Sequence, residues 1–84
     1  MMVYAILKEC YNWKANGRNY SEIIEIYDEL NKAENRLNRI YQEEINYLKD
    51  RNLKLIKDIK RVHSFEIRST FEDINIFITK KEVI

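Results

Sequence analysis

The groups in this chain best able to do covalent chemistry are one thiol, Cys10, and one imidazole, His63. Nucleophilic catalysis by Cys10 would need His63 as its base and a third group to orient the imidazole. Cys10 falls at an alternating apolar position, where a cysteine fills core space, and His63 reads as a partly buried strand residue. A zinc site needs several Cys or His, and these two are all the chain has. Carboxylates offer the adjacent pairs Glu43-Glu44 and Glu72-Asp73. Sequence neighbours project apart, unlike the converging pair of a general acid and base. Gly17 is the only glycine, which excludes a glycine-rich loop cradling phosphates. The expectation is no catalytic residue, no metal and no cofactor.

Binding chemistry is better represented. Aromatic residues make up 12% of the chain and tyrosine leads them. Tyr, Trp and Arg dominate interface hot spots, because they bury much area for little lost entropy. Tyr11, Trp13, Arg18 and Tyr20 flank the Asn16-Gly17 pair, the standard chemistry of a tight turn with positive φ. They form the first partner-binding candidate; the other reading folds Trp13 back over a helix end and puts the tyrosines in the core. Lys54, Lys57, Lys60 and Arg61, set against Asp58, form the second. Exposed aromatics on a sheet follow the logic of single-strand binders. A net charge of +1 and the lack of an RNP-like motif argue against nucleic acid.

These residues need a scaffold, and the hydrophobic pattern supplies one. Residues 3–12 alternate as a strand that begins apolar on both faces, as in a central strand or one that enters an interface. Residues 20–27 fit a second hairpin arm, with Ile24 and Ile26 on one face; Tyr20, Ile23, Ile24, Tyr27 and Leu30 also keep helical spacing. From Asp28, a good N-cap, an amphipathic helix carries Leu30, Ala33, Leu37, Ile40, Tyr41, Ile45 and Leu48 inward. Asn52 is placed to end it in the left-handed conformation. Residues 53–60 are ambiguous between helix and strand. Residues 61–68 alternate, 70–73 turn, and 74–80 form a last strand with Ile74, Ile76 and Ile78 on the core face. The expected fold is α+β, a small antiparallel ββαββ sheet under one long helix, in a single domain over residues 1–84. The alternative is one helix from 21 to 62 forming a coiled-coil dimer, followed by a C-terminal hairpin.

Composition narrows the class. Hydrophobic residues at 45% and charged residues at 35% describe a globular chain. The apolar run ending at Leu7 is too short to span a bilayer, and Lys8, Glu9 and Lys14 interrupt any signal-peptide core. A lone cysteine without a secretion signal points to the reducing cytosol, so the expected location is cytoplasmic, in a host cell. A chain of 84 residues builds a modest core, and a homo-oligomer would help it. Ile, Lys and Asn abound while Pro is absent. That bias follows AT-rich codons, as in a low-GC bacterium or a phage or plasmid within one.

The stretch Tyr20 to Leu37 resembles a pattern of short phage and prophage accessory proteins, in which an "IVEVF"-type strand runs into a "DSLEKAE"-type helix start. Here Ile23-Ile24-Glu25-Ile26-Tyr27 stands for the strand and Asp28 to Glu34 for the helix start. The resemblance covers about a fifth of the chain. It implies a mobile-element accessory protein, a group that includes anti-CRISPR and other anti-defence inhibitors. The expected function is therefore a non-catalytic binding protein that inhibits a host defence protein. A sponge for a nucleotide signal and a cytosolic structural or regulatory dimer are the other two readings.

Overall fold

The computed structural model of the chain describes residues 1–12 and 18–83, with the backbone alone for Arg18. The elements run β1 (Met2–Asn12), β2 (Arg18–Tyr27), α1 (Leu30–Asp50), β3 (Leu55–Lys60), β4 (Ser64–Ser69) and β5 (Glu72–Glu82). The five strands form one antiparallel sheet in the order β2-β1-β5-β4-β3, and α1 covers one of its faces. The α+β expectation holds, but ββαββ becomes ββαβββ. The extra strand is β3, drawn from the ambiguous segment 53–60. It lies at the sheet edge, Leu55 and Ile56 stay exposed, and a bulge between Leu55 and Lys57 breaks its alternation. Its burial signal was accordingly weak. The continuous helix from 21 to 62 does not form: β2 pairs with β1, β3 pairs with β4, and α1 has 21 residues.

Because β2 and β3 are opposite edges, α1 must carry the chain across the sheet. Its 21 residues span about 31 Å. Five strands need roughly 19 Å from edge to edge, so the helix has length to spare. It rests on β1, β2, β4 and β5. Ala33, Leu37, Ile40 and Leu48 form its buried stripe. Below lie Ile6 and Cys10 of β1, Phe65 of β4, and Ile74 and Ile76 of β5. Tyr41 meets Phe65 edge-on, with ring centroids 5.3 Å apart.

Both helix ends show how local chemistry sets the boundary. Asp28 is not the N-cap. Glu29 takes that position in extended conformation (φ −129°, ψ 138°) and makes no side-chain cap bond. Lys32 instead draws both carboxylates, lying 3.2 Å from Asp28 and 3.4 Å from Glu29. The C-terminus behaves as expected: Asn52 sits at φ 53°. Its amide donates to the Lys49 carbonyl at 3.1 Å, and the Leu53 amide donates to that of Leu48 at 2.9 Å. That pair of bonds is a Schellman motif. Buried Leu48 and half-buried Leu53 occupy its two apolar positions.

A second local feature matters more for function. The β1–β2 register shifts between Ile6 and Leu7, so Ile6 faces Glu25 while Leu7 faces Ile23. The extra residue, Ile24, joins Glu25 on the helix side: Ile24 packs on the core, and Glu25 accepts from Arg36 Nε at 3.0 Å. Ile23 and Ile26 are thereby left on the face without a helix. The expectation that Ile24 and Ile26 share a face is overturned, because the bulge inverts the alternation between them.

Candidate functional site

The helix-free face is ordered by strand register into crosswise rows. One end carries Val3 beside Lys81. Next come Ile26, Ala5 and Thr79, then Ile23, Leu7, Phe77 and Ser64. The chemistry then changes. The fourth row holds Ser21, Glu9, Asn75, Glu66 and Ile59, and the last holds Asn19, Tyr11, Asp73, Arg68 and Lys57. The face is apolar at one end and rich in polar groups at the other.

The polar end is concave. A depression of about 560 Å³ is lined by Leu7, Tyr11, Glu9, Glu66, Asp73 and Asn75, and Cys10 and Tyr20 also border it. Two of its carboxylates are held from outside the lining. Lys57 Nζ lies 3.0 Å from Glu66 Oε1, and Arg68 grips Asp73 Oδ2 through Nη2 at 2.8 Å and Nε at 3.2 Å. Glu9 forms no ion pair among the described residues. The depression thus presents fixed acceptor oxygens next to an aromatic ring and one uncommitted carboxylate. Such a surface suits a cationic or donor-rich group.

On the helix side of the same sheet end lies a second titratable cluster. The Cys10 thiol donates to Glu72 Oε2 at 3.5 Å. Burial raises the thiol's pKa; the Tyr20 hydroxyl opposes that rise and Glu72 reinforces it. Cys10 therefore stays a neutral thiol, the opposite of an activated nucleophile. Burial likewise raises Glu44, against the pull of Lys8 and with reinforcement from Glu72 and Glu43. For Lys8, burial lowers the pKa, but Tyr20 and Glu44 outweigh it and the ammonium is held above its ordinary value. Among the described residues, no buried side-chain nitrogen or oxygen lacks a partner, and no three His, Cys, Asp or Glu residues cluster as metal ligands.

The residues singled out from sequence are dispersed. Tyr11 points to the helix-free face, whereas Tyr20, paired with Cys10 and 48% exposed, lies on the helix side. Trp13 and the Asn16-Gly17 turn lie outside the described residues, as does the side chain of Arg18, whose backbone pairs with Asn12. The basic stretch does not form one patch. Lys57 faces Glu66 on the free face, Lys60 sits 5.8 Å from the Tyr41 ring on the helix side, and Lys54 and Arg61 are exposed beyond the ends of β3. Cys10 and His63 lie four residues apart along β5. Cys10 is level with Ile74 and the His63 carbonyl accepts from the Ile78 amide, while the imidazole lies 3.6 Å from Glu34. Adjacent carboxylates diverge as expected: Glu72 turns to Cys10 and Asp73 to Arg68. The acceptor set Glu9, Glu66 and Asp73 was not anticipated. Its signal was faint, acidic positions scattered over β1, β4 and β5, and register alone brings these three together. No family model, no curated protein and no solved structure matches this chain. The helices among the described residues include none long and apolar enough to cross a membrane.

Proposed function

We propose that this protein is a non-catalytic binding protein that inhibits a protein of a bacterial defence system, taking basic side chains of that target into the depression on its helix-free face. The observation that carries the reading is the depression itself: about 560 Å³, acceptor-lined, with Tyr11 as the aromatic contact. Occlusion needs complementary surface and no reactive group. Glu66 and Asp73 are already fixed by Lys57 and Arg68, so an incoming arginine orders few further side chains. The target class rests on sequence: the AT-rich residue bias and the Tyr20 to Leu37 resemblance to phage accessory proteins. A nucleotide sponge fits less well, because carboxylates in the depression repel phosphate. Of the four residues first proposed as the partner patch, Tyr11 and Tyr20 both border the depression, Tyr11 from the helix-free face.

The test is a protection assay in bacteria carrying a defined defence system, with phage challenge as readout. The unaltered protein should raise phage yield. A Glu9→Lys/Tyr11→Ala variant should keep its circular dichroism spectrum and lose protection, since truncating a hot spot costs about 2 kcal/mol or more, roughly thirtyfold in affinity. Protection by the folded variant would remove the depression as the site. No protection by the unaltered protein against any system tried would remove the target class.

A further inference from the structure

An antiparallel sheet with one face in water alternates apolar-in and polar-out along each strand. Three strands here break that rule on the part of the free face that begins at Leu7, on the border of the depression, and runs away from it. Ile23 and Ile26 are each 59% exposed, and Leu7, Phe77 and Val3 are only half-buried. Register makes them one patch: Leu7 lies between Ile23 and Phe77, and Ala5 between Ile26 and Thr79. Contiguous apolar area of this kind is what a soluble chain covers.

We infer that the apolar rows form a homodimer interface, in which two copies pack sheet against sheet through this end of the face. Three observations select a second copy as the occupant. The chain extends 42 × 24 Å in its two longest directions, so the face projects roughly 1,000 Å². The apolar rows hold nine of the nineteen positions on that face, about half of it, and their corrugation brings them to the low end of specific interfaces, about 600 Å² per partner. Charge is the second observation. Lys81 is the one charged residue in these rows and the chain's net charge is +1, so two copies bring no like-charge cluster together, and a strongly charged partner would find no counter-charge. The third is shape. Two right-twisted sheets stack aligned at about 30°, and a two-fold contact uses the same patch on both sides. Because the apolar rows lie at one end of the face, an offset pairing leaves both depressions open at the far ends of the dimer.

Sedimentation equilibrium of the full chain at micromolar concentrations tests this. The expected species has twice the 10.3 kDa chain mass. An Ile23→Glu/Ile26→Glu variant should sediment as a monomer with an unchanged far-ultraviolet spectrum, its self-association weakened more than about a hundredfold by carboxylates facing an apolar surface. Ile56→Glu, at a comparably exposed isoleucine on β3, should leave the dimer intact. A monomeric unaltered chain overturns the inference. So does a double variant that stays dimeric, which would move the contact to another surface such as the β2 edge. An unaltered chain whose self-association yields to a partner of different sequence on these rows overturns it equally. The double variant retains Glu9 and Tyr11, so the outcome of the protection assay is independent of this one.

Discussion

Ile76→Ala and Ile26→Ala make the same chemical change on opposite faces of one sheet, and the structure separates their costs. Ile76 is fully buried beneath the helix, whereas Ile26 is 59% exposed on the free face. Removing the three carbons beyond Cβ at Ile76 forfeits about 2.4 kcal/mol of transfer free energy at roughly 0.8 kcal/mol each. A residual cavity of about 50 Å³ adds roughly 1 kcal/mol, giving a total near 3.5 kcal/mol. At Ile26 the same deletion removes only the buried two-fifths of the side chain and leaves no enclosed cavity, a loss of about 1 kcal/mol. The lower β-propensity of alanine acts on both variants and largely cancels in the difference. That difference, about 2.5 kcal/mol, corresponds to roughly 10–20 °C in melting temperature for a domain of this size. Urea and thermal unfolding should be followed by circular dichroism at a concentration where the chain is monomeric, so that dimer burial does not enter. Equal losses at the two positions would refute the assignment of faces, and with it the bulge that places Ile26 outside. Leu37→Ala, also fully buried, should fall with Ile76→Ala at about 2–4 kcal/mol.

Two more expectations follow from the helix and its neighbours. Glu44 has a folded-state pKa raised by burial, so the native state favours its protonated form. The stability this contributes is complete below the unfolded-state pKa and is lost as pH rises through the raised folded value. Glu44→Gln should therefore stabilise the protein at neutral pH and be indistinguishable from the parent in acid; denaturant titrations across that range check it, and a destabilised variant at neutral pH would mean that attraction to Lys8 outweighs burial. Asn52, at φ 53°, should accept glycine with a gain of up to about 1 kcal/mol and lose about 1 kcal/mol or more on change to valine. Thermal melts decide it, and equal melting temperatures for the two variants would sink the Schellman reading.

Much of the architecture was legible in the chain because it rests on periodicity. Ala33, Leu37, Ile40 and Leu48 at helical spacing, and Ile74, Ile76 and Ile78 at alternate positions, each report a buried face from local sequence. Asn52 likewise announced its own left-handed turn. Where one residue could compete for two roles, local reading was insufficient. Asp28 has the chemistry of an N-cap, yet Lys32 one turn along holds it in an ion pair. The edge strand β3 buries too little to show a period.

What only the tertiary structure decided is which residues meet. Glu9, Glu66 and Asp73 come from three strands, and their shared depression exists because β5 lies between β1 and β4. Tyr11 and Tyr20 flank one loop in sequence but point to opposite faces, since their positions differ by one step of alternation across the β1–β2 pairing. A single bulge at Ile24 puts Ile23 and Ile26 on the free face together. Side-chain periodicity is written into the local chain and survives any arrangement of strands; strand order and register are set by the whole sheet closing over one helix, and the surface of this protein follows from those.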